Sequence, residues 1–204
     1  MKIAFYYVSS EYIDYLKDCE IKSRGYTCVP NVIYANRNKF VYGAIFNINN
    51  VNYYVPVSHS LKNKSESIII KNLKNPTKQL GSLRFNYMFP IPNSELLYLD
   101  VGKGNFSQKD IARIKHELSF CRKNRDKILN QAQKTYKKVI SGNDENLIKN
   151  SCDFKLLEQK CFEYEQQKHM SKLTKNENLS RNSIIQKTPI STDFELENSI
   201  NMDM

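Results

Sequence analysis

Tryptophan is absent from this chain, so the aromatic bulk of its core must come from 13 tyrosines and 10 phenylalanines. Its five cysteines, at 19, 28, 121, 152 and 161, include no Cys-x-x-Cys pair and are odd in number. That pattern argues against a zinc site and more strongly against a disulfide framework. Cys121, Cys152 and Cys161 fall at apolar positions of helical spacing and read as small core residues. No apolar run approaches the roughly 20 residues of a membrane span. Met1-Lys2 leads straight into a short strand-like run with no signal peptide, so the expected location is the cytoplasm. Carboxylates and histidines nowhere cluster at metal-ligand spacing, and no metal or cofactor is expected.

Acid is also scarce. Against 31 lysines and arginines stand 21 aspartates and glutamates, giving a net charge of +10. The segment 171–204 is close to neutral at −1, which leaves +11 on residues 1–170. A basic body with a near-neutral tail points to a polyanionic partner. The same numbers fit a lysine- and asparagine-rich protein whose basicity is compositional. With 204 residues and 40% hydrophobic content, the chain suits one packed domain, residues 1–170, followed by a polar tail.

Apolar periodicity divides the chain into strands first and helices after. Lys2–Val8 reads as a strand. Ser9 or Ser10 can cap a helix running to about Lys17, and residues 19–38 read as a long loop. Phe40–Ile48 and Val51–Val57 read as a hairpin turning at Asn49-Asn50, where asparagine tolerates positive φ. Ser67–Leu73, Gly81–Phe89 and Leu96–Val101 are further strands. Ser107 opens one long helix to residue 140, with Ile114, Cys121, Ile128, Ala132 and Tyr136 in its buried stripe. Another helix starts at Ser151. From Ser171 onward the tail lacks the apolar content to offset its ordering entropy and is expected to be disordered. Segregated strands and helices make the fold class α+β.

Chemistry concentrates in the segment Pro56-Val57-Ser58-His59-Ser60-Leu61-Lys62-Asn63-Lys64, where a strand gives way to a polar loop. His59 can move a proton near neutral pH. Lys62 can neutralise a phosphorane, and Ser58 and Ser60 can bond phosphate oxygens. An ordinary solvated hairpin loop has the same composition. Between 107 and 140 the charges are one-sided: Arg113, Lys115, Arg122 and Lys123 belong to a row of cations opposed by Asp110, Glu117 and Asp126 alone. We read that row as a phosphate-tracking surface.

Five collinear stretches resemble one known family. They are Tyr6–Lys17, Lys39–Gly43 with Tyr53–Ser58, Gln79–Gly81, Met88–Ile91 and Cys152–Glu158. Over about residues 3–165 their order and spacing resemble the endoribonuclease toxins of type III toxin–antitoxin systems, the ToxN/AbiQ family. The resemblance implies a strongly twisted antiparallel sheet, a small SH3-like barrel of the Kid/MazF kind, with flanking helices. It implies RNA cleavage without metal, by attack of the ribose 2′-hydroxyl to leave a 2′,3′-cyclic phosphate. The implied partners are cellular mRNA and a repeated, pseudoknot-like RNA antitoxin that the toxin also processes, assembled with it into a closed protein–RNA ring. The implied role is phage defence by abortive infection.

Residue by residue, Ser58 matches the family's first hydroxyl, and His59 stands where a second serine is usual. Ser60 can take over that hydroxyl, and Lys62 matches the loop lysine one place late. Lys39 matches a basic groove position. Tyr12 and Tyr34 match tyrosines of the first helix and the groove. Ser58, His59, Ser60, Lys62 and Lys39 are therefore the catalytic candidates. Tyr12, Tyr34, Lys64, Arg113, Lys115, Arg122 and Lys123 are the RNA-binding candidates. Tyr12 also fits the apolar face of its helix. A non-catalytic RNA-binding protein is the alternative that the His59 departure leaves open.

Overall fold

A computed structural model describes residues 4–31, 33–34, 37–61 and 64–185. Its compact units are Met1–Glu165 and Gln166–Met204. Lys62 lies outside the described residues, as do residues 186–204 of the tail.

Strand β1 (Ala4–Val8) leads into helix α1 (Ser10–Arg24). Ser9 caps α1 by accepting from the Tyr12 amide at 3.2 Å, while its own hydroxyl donates to the Glu95 carboxylate. Tyr12, Ile13 and Leu16 are buried as their spacing requires. The helix runs seven residues past Lys17, into what the sequence suggested was loop. Gly25, at φ 79°, ends it in the left-handed region. The extension holds because Glu20, unexceptional in sequence, is fully buried and bonded there.

The short pair β2 (Ile33–Tyr34) and β3 (Arg37–Asn38) forms its own ladder. Next comes the hairpin of β4 (Val41–Ile48) and β5 (Val51–Ser58), turning at Asn49 (φ 50°) and Asn50 (φ 65°). Two consecutive positive φ values are what a two-residue hairpin turn requires. β6 (Ser67–Lys71) and β7 (Gln79–Arg84) follow.

The continuous strand expected over Gly81–Phe89 is broken after Arg84 by a 3-10 turn, Phe85–Tyr87, before β8 (Phe89–Pro90). Alternation gave no warning, because Leu83, Phe85 and Phe89 are buried as an unbroken strand would also place them. The turn is held from a distance: the Asn86 carbonyl accepts from the Cys152 amide at 2.9 Å, and its side-chain amide donates to the Asn150 carbonyl. β9 (Leu96–Tyr98) completes an antiparallel sheet ordered β6-β7-β5-β4-β1-β9, with β8 also on β5.

The long helix expected over 107–140 is two helices, α2 (Gln108–Lys123) and α3 (Arg125–Ile140). Asn124 (φ −104°, ψ 26°) separates them, and its side chain donates to the Phe120 carbonyl at 2.9 Å, closing the end of α2. The apolar stripe runs through the break, which is why periodicity did not reveal it. Ser107 caps α2 as expected. A short α4 (Glu145–Lys149) precedes α5 (Phe154–Ile185).

α5 runs past residue 170. Residues 171–185, expected to be disordered, are helical. Once a helix is nucleated by its packed first turns, each further residue gains a hydrogen bond for one more fixed backbone, so apolar content is not needed to continue it. No helix among the described residues is long and apolar enough to cross a membrane.

Tyrosine supplies much of the core. Tyr12, Tyr42, Tyr53 and Tyr54 are all fully buried. Buried phenols need partners. Those of Tyr53 and Tyr136 donate to Glu158, at 2.9 and 2.6 Å.

Candidate active site

The end of β5 divides two clefts. β5 and the segment before β4 alternate their side chains across the sheet. Lys39 and Ser58 line one cleft, while their chain neighbours Phe40 and His59 line the other.

The first cleft, of about 490 Å³, gathers Lys39, Ser58, Lys64, Arg84 and Tyr87 against the segment 27–31. Among its described lining residues there is no carboxylate. Ser58 is half-buried, and its Oγ accepts from the Ser60 amide at 3.2 Å. Arg84 is buried, and two bonds fix it: Nε donates to Ser82 Oγ at 3.1 Å and Nη2 to Ser60 Oγ at 2.9 Å. Ser82 Oγ donates in turn to the Ser60 carbonyl at 2.7 Å. Ser60 is therefore a bracket that ties the loop after β5 to β7. Lys64 is placed by a tight turn in which Ser67 Oγ donates to its carbonyl at 2.8 Å and accepts from its amide at 3.0 Å.

Gly81 permits this geometry. A Cβ there would stand 2.8 Å from the Ser58 carbonyl oxygen, so only glycine lets β7 approach the strand end this closely.

Glu20 builds the opposite wall. Its carboxylate accepts from Thr27 Oγ1 (2.7 Å), the Cys28 amide (2.7 Å), the Val29 amide (3.3 Å), Arg24 Nη2 (2.7 Å) and the Asp153 amide (2.6 Å). A buried charge needs such compensation. In meeting it, the loop after α1 is shaped into the cleft. Burial raises the pKa of the Cys28 thiol on that wall, so it is not a thiolate nucleophile at neutral pH.

The second cleft, of about 720 Å³, is more aromatic. Tyr7, Phe40, Tyr98 and Phe106 line it with His59 and Arg113.

The sequence candidates are therefore divided. Lys39, Ser58 and Lys64 come together, and Ser60 stands behind them on Arg84. His59, expected as a proton carrier beside them, is exposed and lines the second cleft. Arg113 faces that cleft too, paired to Asp110 at 3.0 Å. Lys115, Arg122 and Lys123 are exposed on α2 and line neither cleft. Tyr34 falls in β2. Tyr12, an RNA-binding candidate whose apolar helical face also fitted the core, is buried: the ring is 0% exposed, its hydroxyl donates to the Pro90 carbonyl at 2.9 Å, and it packs on Tyr164. A base cannot reach it, and the apolar helical face decided its place.

Arg84 was missed. Its sequence signal was a lone arginine between the apolar residues Leu83 and Phe85. Among the described residues, no three of His, Cys, Asp and Glu converge to hold a metal ion.

Comparison with known proteins points to one family. Residues 4–161 match the family model described as toxin ToxN, type III toxin–antitoxin system. The chain is 30% identical over 169 residues to the endoribonuclease ToxN of Bacillus thuringiensis subsp. kurstaki, covering 79% of this chain and 84% of that one. The solved structure of AbiQ, a lactococcal anti-phage endoribonuclease of a type III system, superposes with a TM-score of 0.69. It is 27% identical and covers 81% of this chain and 99% of its own. A second structure, of a type III toxin selectively inhibited by a non-coding RNA pseudoknot, gives 0.67 at 26% identity, covering 81% and 99%.

Proposed function

The chain belongs to the ToxN toxin family of type III toxin–antitoxin systems, and from that premise we propose that it is an endoribonuclease needing no metal, restrained by a structured RNA antitoxin. The observation that carries the reading is the first cleft: Lys39, Lys64 and Arg84 surround Ser58 with no carboxylate among the described lining residues. RNA supplies its own nucleophile. The 2′-hydroxyl attacks phosphorus, the bond to the 5′-oxygen breaks, one proton leaves the 2′-oxygen and one joins the 5′-oxygen, and a 2′,3′-cyclic phosphate remains. The protein must stabilise the extra negative charge on phosphorus as the phosphorane forms. Lys39 and Arg84 supply that charge, and Ser58 Oγ bonds a phosphate oxygen. Lys62 keeps the loop-lysine role that the resemblance assigns it. His59 is assigned no step at the phosphate, because it lines the other cleft.

The inhibiting partner we propose is a repeated RNA, which the toxin also processes and with which it closes into a ring. The pseudoknot-inhibited relative supports this, as do the exposed cations Lys115, Arg122 and Lys123 on α2. Its proposed setting is the cytoplasm, and its role is defence against phage, as described for AbiQ.

The test is single-stranded RNA incubated with the protein in excess EDTA, with analysis of the new ends. Cleavage should persist and leave cyclic phosphates. Lys39→Ala and Arg84→Ala should each lower kcat on the order of a hundredfold, the usual effect of removing one stabilising group beside a developing charge. Activity lost in EDTA and restored by magnesium would overturn the metal-independent reading. RNA binding without any cleavage would establish a binding module instead.

A further inference from the structure

We propose that the second cleft is a nucleotide subsite, seating the base next to the scissile phosphate; this rests on the ribonuclease reading above. The two clefts share a wall. Lys39 and Ser58 face the phosphate side, and the next residues along the chain, Phe40 and His59, face the aromatic side. An RNA strand crossing that wall with a phosphate at Ser58 delivers a neighbouring nucleotide into the second cleft. At about 720 Å³, the cleft falls within the usual range of small-ligand pockets.

Its lining suits a base and not a second phosphate. Tyr98 is 53% exposed on β9, which leaves its ring accessible to a base, and it meets Tyr6 in a T-shaped pair at 6.2 Å. Phe106 is held in place by the loop beneath it. A Cβ on Gly104 would fall 2.2 Å from the Phe106 ring, and the Gly104 carbonyl accepts from the Phe106 amide at 2.9 Å. The lining charges balance, Arg113 and Lys103 against Asp110 and Asp100, and Arg113 is bridged to Asp110. A charge-balanced pocket with exposed aromatic rings binds bases through their faces, which every base possesses.

The experiment uses short single-stranded RNAs carrying an abasic ribose on one or the other side of the cleaved bond, beside the intact oligomer. For the wild type, one of the two abasic positions should raise KM on the order of tenfold, with kcat little changed. Tyr98→Leu should raise KM on the intact oligomer by the same factor and lose the sensitivity to that abasic position. Tyr98→Phe, which keeps the ring, should behave as wild type. Fluorescence anisotropy with the same oligomers gives the binding readout independently of cleavage. If wild type and Tyr98→Leu bind intact and abasic oligomers with equal Kd, the subsite is overturned whether or not the RNA is cut. If the wild type binds with the expected pattern and never cleaves, the subsite stands and the ribonuclease reading falls.

Discussion

Replacing Glu117 with glutamine should change the pH dependence of stability more than any other single exchange on α2. Glu117 is 0% exposed, and neither carboxylate oxygen has a hydrogen-bond partner among the described residues. Arg113 Nε stands 3.9 Å away, an ion-pair distance beyond hydrogen-bond range. Burial raises the carboxyl pKa from 4.5 to about 7 and outweighs the lowering by Arg113. Below pH 4.5 the folded and unfolded chains both hold the proton. Between 4.5 and about 7 the folded chain holds it and the unfolded chain has released it. Stability therefore falls as pH rises through that window and levels off above it. Each pH unit is worth 1.36 kcal/mol for one proton, so the whole window amounts to about 3 kcal/mol. Glutamine cannot ionise. The stability of Glu117→Gln relative to wild type should thus grow by about 3 kcal/mol between pH 4.5 and pH 8, or roughly 6–12 °C in Tm for a chain of this size. Denaturant melts of both proteins across that range measure the difference, and every other titrating group cancels. A difference that stays constant with pH would refute the argument.

Two further outcomes follow from the geometry. Gly81→Ala should lower kcat by about a hundredfold through displacement of Ser58, since small misplacements at a reacting centre cost that much. Unchanged turnover in the folded variant would show that the approach of β7 to Ser58 is incidental. A chain ending at Met170 should keep its melting temperature and its RNA cleavage: residues 171–174 are exposed, and Ser171 and Thr174 hydrogen-bond back to carbonyls of α5. Loss of several degrees in differential scanning calorimetry would show that the segment contributes to the fold.

Much of the architecture was legible because it follows from local pattern. The asparagine turn, the serine caps and the apolar stripes of the helices each follow from chemistry within a few residues. What escaped was set by distant partners. The end of α1 depends on Glu20 reaching Asp153, and the turn after Arg84 depends on Asn150 and Cys152. The candidate site shows the same division. Ser58 was a candidate from its polar loop and from resemblance, and Lys39 from resemblance alone; both line the first cleft. Arg84 was hidden because its role comes from strand pairing that places it over Ser60. Periodicity put Tyr12 on the apolar face of its helix, and there it is buried.

The Glu20 cluster also constrains when this protein can become harmful. Its wall of the first cleft is tied to the far end of the chain: Glu20 to the Asp153 amide, Arg24 to the Ser151 carbonyl and the Cys28 thiol to the Lys149 carbonyl. All the cleft-lining residues have left the ribosome well before those partners exist. At synthesis rates of about 5–20 residues per second, an interval of seconds separates the making of Lys39, Ser58 and Arg84 from the closing of the site they share. A nascent chain thus carries Lys39, Ser58 and Arg84 before the ties that complete their wall, and the cutting site proposed above should not be assembled while its own message is being read.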